Sequence, residues 1–257
     1  MSGNDMASNA DGSMQTAQST LAARLSLVTE LENAIANGSA KRRADMLLHI
    51  TDLFMRKSDR FSESEIKLFD ELFTRLALGI DVSLRLLLAD NLAPAANAPF
   101  NITRMLANDD DIRVAYPILA YSTRLDDAAL VLIAQTKGQA HLLAIARRQS
   151  VDESVADVLV ERGDKQVLAS IVANPGAKFS YASFALLVKR SDGDDALAAS
   201  VGSRPDIPHY LFLDLLATAS KIVRGKFTAD NLQVKREFSF VEPYFLFGGN
   251  GTPVLAA

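Results

Sequence analysis

Apolar side chains recur along most of this chain at steps of three and four residues, which is the spacing of one face of an α-helix. The first such segment begins at Thr20 and stops at an Asn-Gly pair, and the second extends from about Ala40 to Lys57. The residues before Thr20 are mostly small or polar and offer little to bury. We therefore expect residues 1–18 to form a disordered leader.

A third helical segment follows Ser62, a residue that can accept a hydrogen bond as an N-cap. Glu63 and Glu65 would lie in its first turn, where acidic side chains favour the positive end of the helix dipole. The three segments together predict a bundle of N-terminal helices over residues 19–80.

From residue 81 the chain repeats itself. Five helical segments each end in an apolar residue, a small residue and then polar residues, with a period of roughly 28 residues. The small residues are Ala89, Ala120, Ala146, Ala173 and Gly202. After a short turn, each segment is followed by a second apolar segment, and the turns offer caps or first-turn residues at Asp126, Asp152, Ser180 and Pro208.

A single helical hairpin cannot bury its own apolar face, so hairpins of this kind stack and share a continuous core. A small residue at a fixed place lets neighbouring helices approach closely. The sequence therefore predicts an all-α fold, a HEAT-like α-solenoid of five stacked helical hairpins over residues 81–220, preceded by the N-terminal bundle.

The pattern changes in residues 221–257. Five aromatic residues fall between Phe238 and Phe247, and a glycine-rich stretch follows. Solenoids need their exposed end covered, so we expect this aromatic tail to cover the last repeat. The alternative is a segment that binds a partner, including a second copy in a homodimer.

Composition narrows the chemistry. The chain has no cysteine, which excludes disulfides, zinc-thiolate sites and cysteine nucleophiles and suits a cytoplasmic protein. No apolar run approaches the ~18 residues that span a membrane. The net charge of −4 provides no electrostatic footprint for general nucleic-acid binding. We expect neither a membrane nor a nucleic acid as partner.

The residues from about 40 to 220 resemble an uncharacterised family of bacterial helical-repeat proteins, domain of unknown function family 2336, found mainly in alphaproteobacteria. The segments that carry the resemblance are 50–54 (ITDLF), 68–71 (LFDE), 119–125 (LAYSTRL), 160–164 (VERGD) and 174–177 (NPGA). The resemblance implies an all-α repeat fold and a cytoplasmic, regulatory role. It brings no activity, cofactor or active site.

Motifs with catalytic or metal-binding chemistry are weak. His49, His141 and His209 lie far apart, without the i,i+4 pair that makes a metal face, and no GxSxG elbow exists. The acidic clusters at 109–111 and 192–195 do not continue into a calcium loop, and we expect them to cap helices. We predict no enzyme activity, no metal and no cofactor.

The strongest binding candidate is the row of polar residues that follows the small positions. Stacked repeats would place these residues side by side, and solenoids use such rows as extended binding surfaces. The predicted binding residues are Asn91, Tyr121, Arg147, Arg148, Asn174 and Arg204. Polar caps that meet water at helix ends are the alternative interpretation.

The sequence leaves three functions open. The first is a non-catalytic adaptor or regulator that holds a protein or peptide partner. The second is a sensor in which Arg147, Arg148 and Arg204 hold the phosphates of a nucleotide messenger. The third is a repeat-fold DNA-repair glycosylase, which the net negative charge and the absence of tryptophan disfavour.

Overall fold

A computed structural model of the protein describes residues 39–230. In that range the secondary structure consists of thirteen α-helices, one 3-10 turn at Ser58–Arg60 and one isolated β-bridge. The all-α class is therefore confirmed. The predicted leader, the helix predicted from Thr20 and the tail from residue 231 lie outside the described residues. No helix in 39–230 combines the length and the apolar character needed to cross a membrane.

The chain divides after Ile133 into two compact units. The helices of the first unit are α1 (Ala40–Lys57), α2 (Glu63–Ala77), α3 (Val82–Leu92), α4 (Phe100–Ala107) and α5 (Ile112–Tyr121). Helix α6 (Asp127–Thr136) includes the point of division. The helices of the second unit are α7 (Gln139–Ala146), α8 (Glu153–Arg162), α9 (Lys165–Ala173), α10 (Tyr181–Arg190), α11 (Asp195–Gly202), α12 (His209–Thr218) and α13 (Lys221–Asp230).

In the first unit, α1 packs against α3, α3 against α5, and α2 against α4. The bundle core between α1 and α2 is aromatic. The ring of Phe54 lies 5.1 Å from that of Phe69 and 5.8 Å from that of Phe73, both in edge-to-face geometry. Rings in this arrangement contribute more than their buried area alone.

The second unit repeats one packing rule: each helix contacts the helix two places further along. Helices α7, α9, α11 and α13 form one layer, and α8, α10 and α12 form the other. The pairs α7–α8, α9–α10 and α11–α12 coincide with three of the predicted hairpins. This is the neighbour packing that stacked helical hairpins require.

Several predicted caps are present. The Ser62 hydroxyl accepts a hydrogen bond from the Glu65 main-chain N–H, and the Glu65 carboxylate accepts one from the Ser62 N–H, which together form a capping box. The Ser180 hydroxyl accepts from the Ser183 N–H at 3.0 Å. Asp152 also occupies an N-cap position, but its side chain makes no capping hydrogen bond.

The small positions differ from one repeat to the next. Ala89, Ala120 and Ala146 are buried, as a close helix approach requires. At Gly202 a Cβ atom would lie 2.5 Å from the Phe227 ring, so that site is equally tight. Ala173 is exposed, however, so the expectation of a close approach is wrong there. Ala173 is the last residue of α9, and the buried contact is made by its neighbour, Val172.

The segment assigned to the tail from residue 221 begins with a helix. Helix α13 packs against α11 through the buried Val223, whereas Ile222 is 70% exposed. The aromatic residues from Phe238 onward lie outside the described residues.

Candidate interaction surface

Three loops of the second unit connect the end of one helix to the start of the next and lie side by side. They are residues 147–152 between α7 and α8, 174–180 between α9 and α10, and 203–208 between α11 and α12. We call these loops, with the first two residues of the helices that follow them, the turn edge of the second unit. All the predicted row residues of this unit fall on it.

Asn174 joins the first loop to the second. Its side-chain Nδ2 donates to the carbonyl oxygens of Ala146 at 2.9 Å and Arg148 at 2.7 Å. Its Oδ1 accepts from the Gly176 N–H at 2.9 Å, so the amide is satisfied at both ends. One amide therefore satisfies carbonyls at the C-terminal end of α7 and holds its own loop in a turn.

A short main-chain pairing reinforces this junction. The Val151 N–H donates to the Gly176 carbonyl at 3.1 Å, and the Lys178 N–H donates to the Val151 carbonyl at 2.9 Å. The Lys178 ammonium also contacts the Asp152 carboxylate at 3.1 Å, although both side chains are largely exposed. The two loops are thus held by both main-chain and side-chain bonds.

Arg204 joins the third loop to the second. Its guanidinium donates to the carbonyl oxygens of Val172, Asn174 and Ala177 at 2.9–3.0 Å. It also forms a forked pair with the Asp206 carboxylate and lies 4.6 Å from the centre of the Phe179 ring. The residue is only 9% exposed. Its guanidinium therefore makes its hydrogen bonds inside the second unit.

The structure therefore corrects the picture of a uniform exposed row. In the second unit it brings Arg148, Asn174 and Arg204 together, but Asn174 and Arg204 face inward and build the edge. Arg147 is exposed and Arg148 is half-buried. The alternative of a nucleotide sensor required the Arg204 guanidinium to be exposed to solvent. Because Arg204 is buried, it does not fit the role of a phosphate ligand in such a sensor.

The two row residues of the first unit are in different surroundings. The Asn91 side chain donates to the Leu87 carbonyl of its own helix at 2.7 Å. Tyr121 is 62% exposed, and its ring packs edge-to-face on Tyr116 at 5.9 Å.

Two residues that the sequence interpretation missed stand out on the turn edge of the second unit. Tyr181 and Tyr210 lie in the first turns of α10 and α12, and their rings stack at 5.4 Å with an interplanar angle of 29°. They are 51% and 48% exposed. Both occupy the same place in consecutive repeats, so an alignment of the second helices would have revealed the recurrence.

Arginine caps of the same kind occur elsewhere in each unit. In the first unit, Arg124 donates to the Ala98 carbonyl at 2.9 Å. In the second, Arg190 donates to the carbonyls of Val160 at 2.6 Å and Gly163 at 2.8 Å. The Arg190 bonds lie at the C-terminal end of α8, where carbonyls lack partners and a cation also favours the dipole. In both units, arginine side chains thus donate hydrogen bonds to main-chain carbonyls about one repeat earlier in the chain.

The acidic clusters act as caps. Asp111 accepts hydrogen bonds from the side chain and main chain of Arg113, which lower its pKa to about 2. Asp194 caps α11 through the Leu197 N–H, and this bond and the nearby Lys165 ammonium lower its pKa. Within residues 39–230, no group of three or more potential metal ligands is found. His141 is buried, whereas His49 and His209 are exposed.

The architecture is that of an all-α protein with successive helices packed two apart. Residues 114–239 match the model of a family described as an uncharacterised protein conserved in bacteria (DUF2336). The predicted resemblance is thus confirmed. The match begins at residue 114, further along the chain than expected. The segments 50–54 and 68–71, which contributed to the predicted resemblance, therefore lie outside it. No curated protein and no solved structure gives a significant match.

The segments that carried the resemblance contain structural caps. Arg124 in 119–125, Asp164 in 160–164 and Asn174 in 174–177 each bond a helix end or a neighbouring loop. Gly163 is also restricted, since a Cβ there would lie 2.4 Å from the Leu159 carbonyl oxygen. Three of the segments thus contain bonds at a helix end or between neighbouring loops.

Proposed function

We propose that the chain is a non-catalytic binding module that holds a protein or peptide partner on the turn edge of the second unit. The observation that supports this most is the stacked, half-exposed pair Tyr181 and Tyr210. Tyrosine and arginine are the residue types most enriched at binding hot spots, and the exposed Arg147 lies on the same edge.

The bonds beneath the surface support the same proposal. Asn174 and Arg204 hold the three loops against one another, so the residues above them need little ordering when a partner binds. A surface that is already ordered loses less conformational entropy on association. The row residues that face inward thus position the contact surface, and those that face outward make the contacts.

The partner that this edge suits has an apolar or aromatic group and at least one carboxylate. The stacked tyrosine rings offer about one ring face for apolar contact and two hydroxyl groups for hydrogen bonds. Arg147 can form a forked hydrogen-bonded pair with a carboxylate, which lysine cannot reproduce. We propose a cytoplasmic, regulatory or adaptor role on this basis.

The test uses the full chain as bait with bacterial lysate and then a purified partner. The double variant Tyr181→Ala/Tyr210→Ala should lose the partner, with a Kd raised by about tenfold or more. Tyr121→Ala is the control, since it removes an exposed tyrosine from the first unit. Unchanged binding by the double variant, with an unchanged helical dichroism spectrum, would move the contact surface elsewhere.

A second variant tests the basic part of the edge. Arg147→Glu reverses an exposed charge, and its helical dichroism spectrum should show that the fold is retained. Binding should weaken about tenfold if the partner presents a carboxylate there. Lys189→Glu, which changes an exposed cation at the far end of α10, controls for net charge.

A further inference from the structure

The first unit contains a groove on its surface. It lies between the α2–α3 loop and the α4–α5 loop and has a volume of about 880 Å³. Part of its lining is apolar: Leu78 is 63% exposed and Met105 is half-buried. Grooves of this size accommodate small ligands when a few polar groups fix the orientation.

Two guanidinium groups line the groove. Arg85 donates from Nε to the Asp109 carboxylate at 2.6 Å and from Nη1 to the Ile80 carbonyl at 2.9 Å, so within residues 39–230 its Nη2 keeps both N–H donors. Arg104 is exposed, lies 5.6 Å from the centre of the Phe100 ring and forms no ion pair within the same range. These donors have the planar geometry that binds phosphate or carboxylate groups.

A third guanidinium lies behind the groove wall. A Cβ atom on Gly79, which lines the groove, would lie 3.6 Å from Nη2 of Arg43. The Nε atom of Arg43 is buried and has no hydrogen-bond partner among the described residues. A buried charged donor without an acceptor is costly and uncommon, and a nearby anion would reduce that cost.

Carboxylates also line the groove. Asp109 is paired with Arg85, Asp111 is paired with Arg113, and Asp110 is an exposed residue of the lining. Carboxylate oxygens accept hydrogen bonds from hydroxyl and amino groups. The groove thus presents both cationic donors and anionic acceptors.

We propose that this groove binds a small molecule that has an anionic group, a phosphate or a carboxylate, and also hydroxyl or amino groups. The anionic group lies between Arg85 and Arg104, within the field of Arg43. The hydroxyl or amino groups face Asp109 and Asp110, and the apolar part of the ligand covers Leu78 and Met105. This site lies wholly in the first unit and does not depend on the turn edge of the second.

The experiment is a calorimetric titration of the full chain at low ionic strength. The probes are adenosine 5′-monophosphate, ribose 5-phosphate and L-glutamate, with adenosine as the probe that has no anionic group. Saturable one-to-one binding of an anionic probe, with none by adenosine, is expected. Binding by the two phosphate esters alone assigns a phosphate, and binding by glutamate as well shows that a carboxylate is sufficient.

Matched variants locate the binding. Arg104→Gln should raise the Kd of the anionic probe at least about tenfold, because it removes the guanidinium that has no ion pair. Arg75→Gln, which removes an exposed arginine from α2, should bind like the parent chain. The proposal is overturned if no anionic probe binds, or if Arg104→Gln binds as tightly as Arg75→Gln while its melting temperature is unchanged.

Discussion

Arg204 donates a hydrogen bond of 2.9 Å from its guanidinium to the main-chain carbonyl of Asn174, and both residues belong to the polar row predicted from the sequence. One buried member of the row thus holds the loop that contains another member. Part of the row is therefore buried and supports the loops, whereas Arg147 is exposed.

Replacing Arg204 should destabilise the second unit. Arg204→Gln leaves the carbonyls of Val172, Asn174 and Ala177 without their charged donor, and the Phe179 ring loses its cation. The expected loss in the free energy of unfolding is on the order of 2–3 kcal/mol, as for other hydrogen bonds to charged groups. Urea unfolding measures it, and a loss below about 0.5 kcal/mol would mean that Arg204 acts as a surface residue.

The small residues should differ sharply in their tolerance of a larger side chain. Ala146 is fully buried, so Ala146→Leu should cost roughly 1–3 kcal/mol through overpacking. Ala173 is exposed, so Ala173→Leu should stay within about 0.5 kcal/mol. Thermal unfolding of the pair gives the comparison directly. Equal melting temperatures would show that helix approach at Ala146 is looser than the structure indicates.

Gly176 should not tolerate a side chain. A Cβ there would lie 1.9 Å from the Gln149 carbonyl oxygen, which is main chain and cannot rotate away. Gly176→Ala should separate the two loops and cost about 1–3 kcal/mol. Gly138→Ala is the matched control, because a Cβ at Gly138 meets nothing within 4 Å. If both variants unfold at the same denaturant concentration, the loops are not held as described.

Acidification should remove a contribution that Asp111 makes to stability. The Arg113 hydrogen bonds lower its pKa from 3.8 in the unfolded chain to about 2 in the folded protein. The stabilisation is therefore complete above about pH 4 and is lost as the pH falls through 2. The difference in melting temperature between the parent chain and Asp111→Asn should narrow over that interval. A difference that stays constant from pH 6 to pH 2 would contradict the lowered pKa.

Local sequence determined where the helices lie in residues 39–230. Ser62 and Ser180 cap their helices because a hydroxyl at that position reaches an N–H two or three residues further along, and nothing distant is needed. Apolar spacing identified the faces of the hairpins for the same reason. The all-α class and the helix pairs were accessible because they depend on interactions within one turn of helix.

Only the tertiary structure decided what the polar row does. Arg147 and Asn174 directly follow their helices, Arg204 follows its helix by two residues, and all three have polar side chains. The side chains of Asn174 and Arg204 donate hydrogen bonds to main-chain carbonyls of the preceding repeat, some 26–32 residues earlier. The Arg147 side chain is instead exposed. The stacking of Tyr181 on Tyr210 likewise depends on the spacing between repeats, which the packing of α10 on α12 sets and local periodicity does not contain.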